Sequence, residues 1–371
     1  MLAGPSIDLL DLFAPAATAS HLPVVLAASS LALVGPIPSS SLLHLALNHL
    51  RQGQQHAEPR SPTQQLSERA RGKQRVRDDI ESDDDEGFDE AILQELGQRQ
   101  ERHVLILTSE EAALRSELVR ECDVSLFGSR SDSETARLLD LVDIRYLPSS
   151  AHLSYFLSTV HVFASPHAPD AQAAYQETGA KSLVDPSCLV HEPTLVILHA
   201  PSDYLEEPAN EGCGIEAYAS LVVQFVSTFT RLVQDPPLLV VCDPLAAPLS
   251  LPILPARLQS RGTAKKRSLD DDGGAPVPDG DRNSMPLKRV LARFFDYVGE
   301  AEEIAPDSPP QHHTPARPRR FLLSCEASPS ARLKIPPAAH RLGLEFVLHQ
   351  VGEDDPERAD VGGMRIEVVE S

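Results

Sequence analysis

Four short runs of the chain are apolar at nearly every position: LALV (Leu31–Val34), HVLILT (His103–Thr108), TLVILH (Thr194–His199) and LLVVCDP (Leu238–Pro244). A weaker fifth run, IRYLP, spans Ile144–Pro148. Strands with unbroken rather than alternating hydrophobicity are those covered on both faces. Helical periodicity lies between them. Ser41 to Leu50 carries Leu42, Leu43, Leu45, Leu47 and Leu50 on one broad face. SEEAALRSELVREC (Ser109–Cys122) has acidic residues in its first turn and Ser109 as N-cap. AHLSYFLSTVHVF follows Ser149 and Ser150, either of which can cap it, and a long helix covers about Ile215 to Val233. Near the end PLKRVLARFFDYV reads as a helix, and RRFLLSCEA, LGLEFVLHQ and GMRIEVVE read as three strands.

Apolar strands alternating with helices predict an α/β fold. The expected core is a mainly parallel sheet flanked by helices, with the three last strands antiparallel at one edge. Two polar segments interrupt it. From Arg51 the chain turns basic (RARGKQRVR, Arg69–Arg77) and then acidic (DDIESDDDEGFDE, Asp78–Glu90). A second such segment runs from Ser260 to Pro286, with RGTAKKR before SLDDDGG. Blocks of like charge bury no surface and read as disordered. The expected organisation is therefore residues 1–50 as a glycine-turn strand and helix, 51–100 as a charged insertion and 101–259 as the core. Residues 260–286 form a linker, and 287–371 complete the same domain.

Composition narrows the function classes. The 371 residues carry 33 Lys and Arg against 54 Asp and Glu, a net charge of −21, which excludes coating nucleic acid through the whole surface. A local basic patch stays open. The five cysteines are far apart with no CxxC spacing, so neither a zinc site nor a disulfide framework is expected, and the thiols read as reduced and intracellular. The apolar N-terminus contains Asp8 and Asp11 and lacks a basic leader, so no secretory signal or membrane span is expected.

Three strand ends could carry chemistry. In VGPIPSSSLL, Gly35 can stand as the first glycine of a phosphate-cradling loop. Ser39, Ser40 and Ser41 then occupy the following positions, with Ser41 or Ser40 where lysine belongs. Pro36 and Pro38 remove two N–H donors from such a cradle. An ordinary strand-to-helix turn with serine caps fits the same residues. At the end of TLVILH, His199 stands where a nucleotide-hydrolysing sheet places its magnesium-binding aspartate. Neutral imidazole suits magnesium poorly, so His199 reads as structural and Asp203 as a cap or turn residue. In LLVVCDP, Cys242 reads as core, while Asp243 could be a sensor or part of a plain turn.

IRYLPSSAHLSYFLSTVH, PTLVILHAPSDYL and VLARFFDYV followed by RRFLLSCEA resemble, in order and character, segments of the RecA-like recombinases. More narrowly they resemble the divergent recombinase paralogue that pairs with a SWIM-domain zinc protein in Shu-type complexes. The resemblance spans about Leu31 to Gln350 and departs from the family at the lysine and the strand-end aspartate. It implies a degenerate phosphate loop (Gly35, Ser39, Ser40, Ser41), no catalytic residues, no metal and no cofactor, ATP being the one the loop could have held. It implies a nuclear, hetero-oligomeric subunit supporting homologous recombination and DNA repair. Its expected partners are a SWIM-type protein, a recombinase and single-stranded DNA. RARGKQR and RGTAKKR could touch phosphates, although an import signal or solvated linker is the better reading of both. An accessory subunit of the Elongator type, acting in tRNA modification, is the alternative. A working ATPase with a displaced lysine such as Lys181 or Lys265 is a third.

Overall fold

A computed structural model describes residues 6–14, 18, 21–57, 102–121, 123, 126, 133–162, 186–205, 214–233, 235–253, 284–304, 319–351 and 363–369. Its centre is one nine-stranded sheet. In chain order the strands are β1 (Ser30–Val34), β2 (Val104–Thr108), β3 (Val142–Tyr146), β4 (Leu195–His199), β5 (Leu238–Asp243), β6 (Tyr297–Ile304), β7 (Arg319–Ala327), β8 (Arg341–Val351) and β9 (Gly363–Val369). Across the sheet they lie in the order β9-β8-β7-β6-β1-β5-β4-β2-β3. From β3 to β6 every pairing is parallel; from β6 to β9 every pairing is antiparallel. The chain is thus α/β, with a mainly parallel sheet and antiparallel C-terminal strands, as the hydrophobic pattern predicts. Strands from all three folded segments share this sheet, so the intervening polar segments interrupt one structure.

β1, β2, β4 and β5 are buried at every position because both faces are covered. On one face lie the N-terminal segment, α1 (Ser40–Ala57) and α3 (Ser133–Leu139); Leu31, Leu33, Ile106, Ile197 and Val240 point to them. On the other lie α4 (Ser150–Thr159), α5 (Ile215–Leu232) and α6 (Leu287–Leu291), over Ala32, Val34, Leu105, Val196 and Val241. α5 buries Tyr218, Leu221, Val222, Phe225 and Phe229, a stripe at three- and four-residue spacing. At roughly 25 cal/mol per Å² of apolar surface, such stripes supply most of the drive to fold. The N-terminal apolar run joins the core: Leu9, Leu12 and Phe13 are buried, and Phe13 packs on Phe346 of β8.

Several boundaries differ from the pattern. α1 continues to Ala57, so residues 51–57 belong to a helix although their composition is already polar; the rest of the 51–100 insertion lies outside the described residues. The linker 260–286 likewise ends in structure, since Ser284–Pro286 pairs antiparallel with Ser250–Pro252. PLKRVLARFFDYV is helical only over Leu287–Leu291. Tyr297 and Val298 enter β6, where they pair with Leu31 and Ala32 of β1. The hydrophobic pattern does not mark YVGEAEEI as a strand because its second half is exposed and acidic, while its first half is mostly buried. The helix after YLPSS stops at Thr159, and His161–Val162 pairs with Cys188–Leu189 instead.

Candidate functional site

The parallel half of the sheet places four strand ends side by side: β1 at Val34, β5 at Asp243, β4 at His199 and β2 at Thr108. In open α/β sheets ligands bind at this carboxyl edge. Gly35 leaves β1 with φ +93°, and a Cβ there would stand 2.3 Å from the Ala301 carbonyl oxygen. Glycine is therefore required by the turn itself. Its N–H donates to the Asp243 carbonyl at 3.4 Å, tying the ends of β1 and β5. Pro36 to Pro38 carry the chain to the start of α1 at Ser40.

The first N–H groups of α1 already have partners. Glu121, at the end of α2 (Glu111–Glu121), accepts from Ser39 N–H through Oε1 and from Ser40 N–H through Oε2, each at 2.7 Å. Beside it Glu117 Oε2 accepts the Ser39 hydroxyl at 2.5 Å. The Ser41 N–H turns back to the Pro38 carbonyl. Glu121 is buried. Burial raises its pKa above the ordinary glutamate value, the bonds from Ser40 and Ser39 oppose that rise, and the Glu117 charge adds to it. A carboxylate with its two oxygens on successive N–H groups at a helix start occupies the position an external anion would take.

His199 and Asp243 face the same edge. His199 is buried, its Nδ1 within 3.2 Å of the Thr108 hydroxyl and its Nε2 without a hydrogen-bond partner. Burial lowers its pKa and Glu117 works against that, so the ring is held neutral next to a carboxylate. Immediately after it Ala200 sits at φ 48°, a left-handed conformation rare outside glycine. Its N–H donates to the Cys242 carbonyl at 2.7 Å, and it opens the turn Pro201–Leu205. Asp243 is the most fully bonded group at the edge. It accepts from the Ser202 hydroxyl at 2.6 Å, Ser202 N–H at 3.2 Å, the Tyr218 hydroxyl at 2.9 Å and Leu245 N–H at 3.2 Å. Asp243 is thus an internal knot, not an outward sensor. Burial raises its pKa, and pushes that of Tyr218 well above the ordinary phenol value.

The structure brings Gly35, Ser39, Ser40, Ser41, His199 and Asp243 to one edge, as their strand-end positions suggest. Cys242 is core, with its thiol pKa raised by burial. Ser109 does not cap α2; its hydroxyl donates to Asp203 at 2.9 Å, tying the end of β2 to the turn after β4. Ser149, by contrast, caps α4 by accepting from His152 N–H. Lys181, Lys265 and both basic stretches lie outside the described residues. The residues that sequence reasoning missed are Glu117 and Glu121. They are four apart on one helix face, a like-charge pairing that disfavours a helix unless both carboxylates share partners.

The Ser39 and Ser40 N–H groups are taken by the chain's own Glu121, no lysine stands in the turn from Gly35 to Ser41, and His199 at the end of β4 offers nitrogen, which suits magnesium poorly. Among the described residues no group of three or more His, Cys, Asp or Glu side chains could hold a metal ion, and no helix is long and apolar enough to cross a membrane. The sequence matches no protein-family model and no curated protein.

Proposed function

We propose that this chain is a non-catalytic, RecA-like subunit of a recombination-mediator complex of the Shu type, acting in the nucleus in homologous recombination and DNA repair. It works through the surfaces it offers to a SWIM-domain zinc protein and a recombinase, and so helps the recombinase assemble on single-stranded DNA. The resemblance of its segments to that family supports this reading. So does a glycine turn at the carboxyl end of a central strand in a mainly parallel sheet. The observation that carries it is the closure of the phosphate cradle by Glu121 and Glu117. Each charge-assisted bond a triphosphate would need is worth roughly 1.5–3 kcal/mol, and here nucleotide would first have to displace a carboxylate.

Affinity purification of the tagged full chain, followed by mass spectrometry, tests the proposal. Recovery of a SWIM-domain protein together with a recombinase is the expected result. Recovery of Elongator subunits, or ATP turnover abolished by substituting Gly35, overturns it.

A further inference from the structure

We infer that Glu121 is a built-in surrogate for a bound oxyanion: the carboxylate holds the loop and the start of α1 in shape in place of a ligand. The inference rests on the reading that the cradle no longer serves a nucleotide, and adds what now fills it and why. Three observations carry it. The contact is two-pronged, with separate oxygens on successive N–H groups, which is how an oxyanion is received at a helix start. Second, apolar packing does little to place the donor. α2 buries Leu114 and Glu121, Leu118 packs partly buried against the core, and Val119 near its end is 70% exposed. Its last turn is therefore pinned to the loop by the carboxylate.

Third, the cradle has more polar capacity than Glu121 uses. The Ser41 hydroxyl and His199 Nε2 are buried without partners at the same edge, and the charge of Glu117 is felt at the imidazole. Buried polar groups are nearly always bonded, so these two are spare hydrogen-bonding capacity at the end of the sheet where the carboxylates sit. Neither Glu117 nor Glu121 makes an ion pair among the described residues, so the attraction comes from N–H groups and the helix dipole.

Chemical rescue tests the inference. In the full chain, Glu121→Ala should lower Tm by about 3–6 °C. Inorganic phosphate should then restore at least about half of that loss, while sodium chloride at matched ionic strength restores none. Phosphate titration followed by phosphorus NMR should show at least tenfold tighter binding to the variant than to the unaltered chain. Glu121→Gln, which keeps the shape and one acceptor, should give a smaller loss and a smaller rescue, and serves if the alanine variant does not fold. Equal phosphate response in variant and unaltered chain, or no loss of Tm in either variant, overturns the surrogate role. A failed rescue with the SWIM partner still recovered sinks this inference alone. Tight magnesium-ATP binding by the unaltered chain sinks both.

Discussion

β1 and β5 are neighbours in the sheet, and a buried carboxylate lies at the carboxyl end of each, yet the two are held in opposite ways. Asp243 belongs to β5 itself and is bonded by Ser202, Tyr218 and Leu245, from the two elements around it and the turn that follows. Glu121 reaches the end of β1 from a neighbouring helix with a thin apolar seam. The first is an internal knot whose donors have no other use. The second is an occupant whose donors would accept any small anion. Buried charge at a sheet edge can thus be architecture or a stand-in, and the origin of its partners tells which.

The largest expected effect falls on the knot. Asp243→Ala strands three buried donors and one part-buried N–H, and should cost about 3–4 kcal/mol in urea unfolding, with no recovery in phosphate. Phosphate rescue there would erase the distinction between the two ends. Gly35→Ala should cost about 2–3 kcal/mol, since φ +93° and the Ala301 carbonyl both oppose a side chain. A variant as stable as the parent would show that the turn after β1 adapts more freely than the geometry allows.

The far end of α1 supplies a pH test. Burial and Arg102 lower the His49 pKa from 6.5 to about 4. A lowered folded-state pKa means that the unfolded chain binds the proton first, so this stability is present above pH 6.5 and lost as pH falls towards 4. The loss should be about 3 kcal/mol. Asp11, pushed by burial up to about 6, titrates in the opposite sense over part of the same window. The measurement is therefore the difference between parent and His49→Gln, which should widen in the parent's favour as pH rises. Next in size, Glu121→Ala should cost about 1–2 kcal/mol, the worth of two bonds made by a replaceable acceptor. Smallest is Arg319→Ala, which breaks an exposed pair with Glu303 on the antiparallel extension and should cost under about 0.5 kcal/mol.

The strands that were legible are those whose burial is two-sided, because nothing but an apolar residue survives there. β6 was not legible, since Glu300, Glu302 and Glu303 interrupt the pattern and only pairing with β1 and β7 makes it a strand. FFDYV looked helical for the same reason: aromatic spacing suits either element until its neighbours are known. At the site, Gly35 and the serines stood out by type and position. Glu117 and Glu121 did not, for they read as the ordinary acidic face of a helix.

By itself the sequence determined the α/β class, the interruption of one sheet by charged segments and the absence of a lysine from the glycine turn, with His199 at the end of β4. These are local matters, written in residue type and in the period of burial. Only the tertiary structure decided that α2 brings Glu121 onto the start of α1, that Asp243 turns inward and that β6 joins the centre of the sheet. Those depend on contacts across many tens of residues, and hydrophobic periodicity carries no record of which polar groups will meet.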